Sequence, residues 1–392
     1  MNVSLSSPHI SPFDPSKAEV VVVGAGPVGL WTSIVMKALD KDLNIVVLDQ
    51  YPDYKRDNPL SLERSSFSNL PKNERVRALV DKIFTDKNGR KVSQVHVNTN
   101  TIEELFLQTA QELGIHVNRG PENKITSLDS LNRFSNAKVI LGADGSKSQM
   151  RQLLFGELAS NNDLQYIAQV KYTTQPPKPQ RTQMMQKVAS SKLGGGHVTE
   201  VPKNPKDGEK TGTMNLLLTI TKETFEKIQD ATFKDPKQLG TCPQKLRERA
   251  RYWISARNDQ DKATQDNVQV SSIKLNSYKS REFVKLEAGK AYGLVGDAAF
   301  GVPYFRSLNN GIRCGTHFAQ AAVARKQGND KPMRDYNSFV HTFATWEMGK
   351  AKAKSLAVRA LDTYINVMGW LPRKVVSWHE DFLKSASREY SA

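Results

Sequence analysis

Residues 19–29 of the chain read EVVVVGAGPVG. Four consecutive valines are typical of a strand buried on both faces of a parallel sheet. Three glycines follow at once in the spacing Gly-x-Gly-x-x-Gly, and residues 30–39 then repeat their apolar positions at helical spacing. Gly24 allows a tight turn, Gly26 lets the backbone approach a pyrophosphate, and Gly29 lets the helix pack closely on the strand. The stretch therefore predicts a dinucleotide-binding βαβ unit.

The acidic residue that such a unit needs closes its second strand, residues 44–49. Asp49 lies about 20 residues beyond Gly29, where a carboxylate can hold a ribose hydroxyl pair. The alternative, a glycine turn used only for packing, remains open at this point. The predicted cofactor contacts of the unit are Gly24, Gly26, Pro27, Val28, Gly29, Asp49 and Gln50.

Two further signatures separate FAD from NAD. GADGSKSQMR, residues 142–151, follows one predicted strand, and GLVGDAA, residues 293–299, follows another. The carboxylate of Asp297 can bind a ribityl hydroxyl, and a helix after it can aim N–H groups at the flavin N1–C2=O edge, where reduced flavin carries negative charge. Each stretch alone could be a turn with an Asp cap. Together, in this order, they favour FAD, with contacts from Asp144, Gly145, Gly296 and Asp297.

Composition limits the class of protein. Hydrophobic residues make up 38% of the 392 residues, enough for a sizeable core. The sequence contains no uninterrupted apolar run of about 18 residues, so we expect no membrane span. Two cysteines cannot form a Cys-rich zinc site, and we expect no metal. The rarity of cysteine and the absence of a signal-peptide pattern favour a cytoplasmic location, with non-classical secretion left open. The formal net charge of +16 favours acidic partners, although no nucleic-acid module is recognised.

The order of predicted elements indicates an α/β fold with an insertion. We predict a Rossmann-like FAD-binding domain at residues 19–155 and 285–330, and an inserted α+β substrate domain with a β-sheet at residues 156–284. A flexible N-terminus, residues 1–18, precedes them, and a helical C-terminal region, residues 331–392, follows.

Two segments of the FAD-binding domain are predicted to be irregular. Residues 50–75 are polar and contain three prolines, so we expect a loop that includes a short helix. Residues 303–309 are expected to form a loop that leads into a helix from about Asn310. In the inserted domain, residues 194–196 are three glycines that suggest a hairpin tip, since no Gly-Lys-Ser/Thr follows them.

The motifs GAGPVG, GADGSKSQMR and GLVGDAA together resemble those of the class A flavin monooxygenases, the group of p-hydroxybenzoate hydroxylase (PHBH). The resemblance covers about residues 19–155 and 285–325. It implies one GR2/PHBH-type FAD domain, a β-sheet substrate domain and no separate NADPH domain, with Asp144 and Gly145 contacting both FAD and NAD(P)H. The implied activity is that of an enzyme whose FAD is reduced by NAD(P)H and which hydroxylates its substrate through a C4a-hydroperoxyflavin.

A looser resemblance is to the monooxygenase domain of the MICAL proteins, which oxidise methionines of actin. It rests on Arg56-Asp57-Asn58, on residues 96–114 and on the basic charge. Pro-Tyr-Phe-Arg, residues 303–306, stands where MICAL proteins carry a tryptophan, and Ser-Leu-Asn-Asn-Gly, residues 307–311, replaces the usual class A Pro-Pro-x-Gly-x-Gly. The candidate catalytic residues are Arg56, Asn58, Tyr304, Phe305 and Arg306. Further candidate flavin contacts are Arg56, Asn309, Asn310 and Gly311.

Several alternatives remain at the level of sequence. The chain could hydroxylate a small-molecule substrate, act on an acidic protein as a MICAL-like enzyme, or be a non-catalytic FAD-fold protein that binds a partner. His96 is a candidate near the flavin ring or an exposed strand histidine. The basic C-terminal stretch is either a docking face for an acidic partner or a solvated helix face; its cations are Lys350, Lys352, Lys354, Arg359, Arg373 and Lys374.

Overall fold

The computed structural model describes residues 14–54, 59–86, 88–174, 198–203, 211–233, 235–261, 267–303 and 306–368. The chain divides into two compact units. Unit one is Met1–Asn162 with Ser277–Gly349, and unit two is Asp163–Asn276 with Lys350–Ala392. The C-terminal residues predicted as one helical region thus divide between the units after Gly349. In the described ranges, no helix combines the length and apolar character that a membrane span needs.

Unit one is built on a six-stranded sheet whose strands are β1 (Val20–Val23), β2 (Ile45–Asp49), β5 (His116–Arg119), β6 (Val139–Gly142), β12 (Val284–Glu287) and β13 (Lys290–Leu294). Their order is β12-β13-β6-β1-β2-β5, and only the edge strand β12 is antiparallel to its neighbour. The chain places β2 and β5 on one side of β1, then β6 and β13 on the other. Between β1 and β6 the strand order therefore reverses, and open α/β sheets bind ligands at such a switch point.

The helices of unit one are α1 (Pro27–Leu39), α2 (Glu74–Ile83), α3 (Thr99–Glu112), α4 (Gln149–Phe155), α7 (Ser307–Lys326) and the first part of α8 (Lys331–Met368). α1 packs closely on α7. Trp31 Nε1 donates to Thr316 Oγ1 at 3.0 Å in the buried interface. A Cβ added to Gly315 would lie 2.4 Å from Thr32 Oγ1, so the two helices approach more closely than a larger residue would allow.

The prediction of a loop at residues 50–75 was wrong at residues 59–63 and from Glu74 onward. Strand β3 (Pro59–Glu63) pairs antiparallel with β4 (Gln94–Asn98), and helix α2 begins at Glu74. In β3, alternate residues Leu60 and Leu62 are buried, but five residues that begin with a proline give too short a period-two pattern to be recognised. Asn73 caps α2 by accepting from two backbone amides of its first turn.

Unit two contains an antiparallel sheet in the order β10-β11-β7-β9-β8. The predicted strands at residues 166–172 and 214–220 are confirmed, because they pair antiparallel with Tyr172 opposite Met214. Buried side chains of this sheet pack with Trp253 and its helix to form the core. Residues 194–196 lie outside the described residues. The elements are β7 (Ser160–Thr174), β8 (Val198–Lys203), β9 (Gly212–Ile220), β10 (Lys237–Gln238), β11 (Gln269–Lys279), α5 (Lys222–Glu226) and α6 (Gln244–Asp261).

Candidate functional site

The first two sequence signatures meet at the switch point of the unit one sheet. Gly24 follows β1 with φ of +115°, and a Cβ at this position would lie 2.4 Å from the carbonyl oxygen of Ala143, which follows β6. A Cβ at Gly29 would lie 2.0 Å from the carbonyl oxygen of Gly24. Both contacts are with backbone atoms, which cannot move aside. The two glycines therefore fix the first loop against the second and against the start of α1.

Gly26, the middle glycine, has open space in front of it. An added Cβ would find Tyr54 Cε2 as its nearest neighbour, at 4.0 Å. Gly26 is also the N-cap of α1, and no side chain makes a capping hydrogen bond there. Pro27 occupies the first helical position, where its lack of an N–H costs nothing. A helix N-terminus with room before it and no capping side chain is suited to a phosphate group.

Replacing Gly26 with alanine should weaken FAD binding and leave the stability of the fold nearly unchanged. The Cβ meets no close neighbour, so we expect the free energy of unfolding to fall by about 1 kcal/mol or less, the cost of alanine at an N-cap. The methyl group would stand where a pyrophosphate approaches, so FAD affinity should fall at least tenfold. Thermal unfolding and FAD fluorescence titration measure the two effects. A variant that binds FAD as tightly as the wild type would contradict the assignment of this loop.

Asp49, at the end of β2, holds the glycine loop through its carboxylate. Oδ2 accepts from the backbone N–H of Ala25 at 2.7 Å, and Oδ1 accepts from the N–H of Tyr51 at 2.9 Å. The side chain is half-buried, as is that of Gln50 beside it. Two lone-pair sites of the carboxylate are thus used by the protein, and others are left for hydroxyl donors.

An ion pair that the sequence analysis missed lies beside Asp49. Arg119 is the register partner of Asp49 in the adjacent strand β5, and it pairs with Glu103 of α3. Its Nη2 also donates to the carbonyl of Ala25 at 3.4 Å. Burial raises the pKa of Glu103, although the Arg119 guanidinium opposes that shift. Strand register places Arg119 here, and no motif in its own sequence signals it.

The carboxylate of Asp144 is used within its own turn. It accepts from Ser148 Oγ at 2.5 Å and from the backbone N–H of Met150 at 3.1 Å, at the start of α4. Burial raises the pKa of Asp144, and these bonds oppose the shift. The next residue, Gly145, has φ of +82°, which favours glycine. The second signature is therefore a capped turn, and its glycine and aspartate shape the loop that meets Gly24.

Arg151 joins the second signature to the third. Its guanidinium is buried and donates to the carbonyls of Ser146 at 2.8 Å and Ala298 at 2.9 Å, with a longer bond to Asp297 O at 3.3 Å. It also lies over the ring of Tyr278, whose hydroxyl donates to the same Asp297 carbonyl at 2.9 Å. The Asp297 backbone is thereby fixed, and its side chain is half-buried after β13. Arg151 is part of the second signature, but no local sequence pattern predicts this bridging role.

Val28 of the first signature packs against Gly296 of the third signature and against Gly311 of α7. A Cβ at Gly296, where φ is +58°, would lie 3.1 Å from Val28 Cγ1, and one at Gly311 of α7 would lie 2.6 Å from Val28 Cγ2. The Gly311 position also faces the Gly296 Cα at 3.3 Å. All three signatures and the start of α7 therefore converge at adjacent strand ends of one sheet.

The expected loop before Asn310 is shorter than predicted, because α7 begins at Ser307. Asparagine normally disfavours helices by bonding to nearby backbone. Here tertiary partners occupy both amides: Asn309 accepts from Glu63 N–H at 2.9 Å and donates to the Ser61 carbonyl at 2.8 Å, and Asn310 donates to Glu347 Oε2 at 3.1 Å. These partners lie far away in sequence, which explains why the pattern indicated a loop.

Arg306, a candidate catalytic residue, is engaged by Glu347 of α8. Its Nε donates to Oε2 at 2.7 Å and its Nη2 to Oε1 at 3.1 Å, a bidentate pair that raises the pKa of Arg306. The Glu347 side chain is 1% exposed and that of Arg306 40%. The exposed strand residue His96 lies on β4, opposite Ser61. The other catalytic candidates, Arg56, Asn58, Tyr304 and Phe305, lie outside the described residues.

Replacing Glu347 with glutamine should destabilise unit one. The change leaves Arg306 without its counter-ion and weakens the bond from Asn310. Removing one partner of a fully buried pair costs roughly 3–5 kcal/mol, and solvent at Arg306 reduces this, so we expect about 2 kcal/mol. Glu287→Gln is the matched control, since its pair with Lys285 is exposed and should contribute under about 1 kcal/mol. Equal denaturant midpoints for the two variants would disprove a structural role for Glu347.

Comparison with known proteins yields matches of structure only. No known protein family matches the sequence, and no curated protein matches it. The structure of OxyS anhydrotetracycline hydroxylase from Streptomyces rimosus matches with a TM-score of 0.57 and 14% identity, over 94% of this chain and 73% of that one. CtdE in complex with FAD matches with a TM-score of 0.54 and 14% identity, over 86% of this chain and 93% of that one.

A third match is CabE, an aromatic hydroxylase from angucycline biosynthesis, with a TM-score of 0.54 and 14% identity, over 93% of this chain and 75% of that one. At 14% identity, the similarity is evidence for a shared fold. The predicted architecture, a Rossmann-like domain with an inserted α+β region, is thereby confirmed. The chain has the fold of the class A FAD monooxygenases.

Proposed function

We propose that the chain binds one FAD and is an FAD-dependent monooxygenase that takes its electrons from NAD(P)H. The observation that carries the proposal is the convergence of three loops, Gly24–Gly29, Asp144–Gly145 and Gly296–Asp297, at the switch point of a parallel sheet. A glycine turn used only for packing would not need an open space at Gly26 or an uncapped helix after it. The likeness to a fold that holds FAD in CtdE supports the same conclusion.

The residues fit an extended dinucleotide from one end to the other. Gly26 and the N-terminus of α1 would hold the pyrophosphate, and Asp49 the ribose hydroxyls of the adenosine. Asp297 would accept from a ribityl hydroxyl, and the first turn of α7 after it would face the flavin. Arg119 and Arg151 act through other groups: the first donates to the glycine loop, and the second holds the Asp297 backbone in place.

Bound FAD would supply the redox chemistry, accepting electrons from NAD(P)H and activating O2 for transfer of one oxygen atom to a substrate. The residues of this chain would bind the cofactor, orient it toward the substrate and exclude water from the reacting atoms. The N-terminus of α7 carries positive potential and would stabilise negative charge on a reduced flavin bound next to it. Asn309 and Asn310 hold that helix end through β3 and Glu347, so the positive end cannot shift away.

We further propose a small aromatic molecule as the substrate, because one structural neighbour is described as an aromatic hydroxylase and another as an anhydrotetracycline hydroxylase. The MICAL-like alternative, oxidation of a protein, is favoured by the net charge of +16. The two are distinguished by NAD(P)H consumption, measured with FAD-loaded protein alone, with a panel of phenols, or with filamentous actin. Stimulation by a phenol with formation of hydroxylated product supports the first, and methionine sulfoxide in actin supports the second. FAD-loaded protein that neither NADH nor NADPH reduces would instead indicate a non-catalytic flavin-fold protein.

A further inference from the structure

The C-terminal part of α8, from Lys350 to Met368, belongs to unit two and packs on it through one face. Ser355 is buried, and its Oγ donates to the carbonyl of Leu164 at 3.1 Å. Arg359 Nη2 donates to the same carbonyl at 2.6 Å. Ala351, one turn before Ser355, is also buried. These three positions define the inner face of the helix.

The opposite face is apolar and exposed. Leu356 is 55% exposed and Val367 57%, with Leu361 at 39% and Tyr364 at 37%. A surface helix normally carries polar side chains on the face away from the core. The exposed apolar positions recur at intervals of three and four, so they form one continuous stripe along the helix. This outer stripe consists of Ala353, Leu356, Ala357, Ala360, Leu361, Tyr364 and Val367.

The helix segment that carries the outer stripe is rich in basic side chains. Residues 350–368 contain four basic side chains and a single carboxylate, Asp362. Lys352 is exposed and lies beside the stripe on the helix surface. Three of the basic side chains are lysines, Lys350, Lys352 and Lys354, and the fourth, Arg359, is bonded to Leu164 on the inner face. An apolar stripe accompanied by lysines is typical of helices that lie flat in the head-group region of an anionic membrane.

We infer that the outer stripe of α8 binds an anionic lipid surface. Apolar side chains would enter the head-group boundary, and the long stems of the basic residues would let their charges reach lipid phosphates. Three alanines make the stripe shallow, which suits a fluid surface better than a protein partner, whose binding energy usually comes from large side chains that fill pockets.

Vesicle flotation of the full chain tests this inference independently of flavin binding. Vesicles of phosphatidylcholine alone are compared with vesicles that also contain phosphatidylserine. The double variant Leu356→Ser/Val367→Ser removes stripe side chains, and Lys352→Glu reverses one charge. The matched controls lie elsewhere in unit two: Phe233→Ser at a 65% exposed phenylalanine and Lys245→Glu at an exposed lysine. Thermal unfolding establishes that each variant is folded, and Lys352→Glu, a surface change, keeps the test valid if the double variant does not fold.

The wild type should float with the phosphatidylserine vesicles and bind at least tenfold more weakly to phosphatidylcholine alone. The stripe variant should lose at least tenfold in affinity and Lys352→Glu about fivefold or more, while both controls bind as the wild type does. No flotation of the wild type, or flotation that neither variant weakens, would overturn the inference. So would binding to soluble polyglutamate with none to vesicles, which would identify the face as a site for an acidic protein.

Discussion

Replacing Gly29 with alanine is expected to destabilise unit one strongly. The added Cβ would lie 2.0 Å from the carbonyl oxygen of Gly24, and neither backbone segment can retreat, because Gly24 itself is packed against Ala143. Overpacking in a core commonly costs about 1–3 kcal/mol, and a clash between backbone atoms belongs at or above the upper end. We expect a loss of about 3 kcal/mol or more in the free energy of unfolding, measured by urea denaturation.

Gly349→Ala is the matched control for this prediction. Gly349 lies within α8, and an added Cβ meets no atom within 4 Å. Because alanine favours helices over glycine by up to about 1 kcal/mol, the control should be neutral or slightly stabilised. If Gly29→Ala unfolds at the same urea concentration as Gly349→Ala, the close approach of the first glycine loop and α1 is refuted.

Replacing Asp297 with alanine is expected to weaken FAD binding about 100-fold. Hydrogen bonds to a charged group contribute roughly 1.5–3 kcal/mol, and the upper part of that range corresponds to this loss. The bonds from Arg151 and Tyr278 go to the Asp297 backbone carbonyl, so the substitution keeps these two contacts. FAD fluorescence titration gives the affinity, and thermal unfolding of the apoprotein gives the stability.

Two further variants make the Asp297 experiment specific. Asp297→Asn keeps a hydrogen-bond acceptor without the charge and should fall between the wild type and alanine. Glu157→Ala removes an exposed carboxylate from the same unit and should leave FAD affinity unchanged. Should Asp297→Ala bind FAD like Glu157→Ala, the third signature would have no part in holding the cofactor.

The sequence predicts the structure correctly where the residues that set the local structure also make the tertiary contacts. The valine run of β1 and the three glycines specify strand, turn and helix within eleven residues, and tertiary contacts then use those same residues. Sequence failed where long-range partners decide the local structure. Ser307 to Asn310 is helical because Ser61, Glu63 and Glu347 satisfy the two asparagine amides.

The same reason explains the functional residues that were missed. Arg119 lies beside Asp49 because β5 pairs in register with β2, and Arg151 reaches Ala298 because β6 and β13 are neighbours. Neither contact has a local sequence signal, since each depends on strand order. Conversely, Arg306 was selected for its position beside the third signature, and the structure directs two of its nitrogens to Glu347.

Titration of the apoprotein with FAD, with bound flavin counted per chain, tests whether the three converging loops hold one FAD. We expect saturation at one FAD per chain, with affinity lowered by both Gly26→Ala and Asp297→Ala. These positions lie in different loops, so a loss of affinity in both variants would mean that one ligand contacts both loops. A folded chain that takes up no FAD, or one whose FAD affinity neither substitution lowers, would show that the three loops do not form an FAD site.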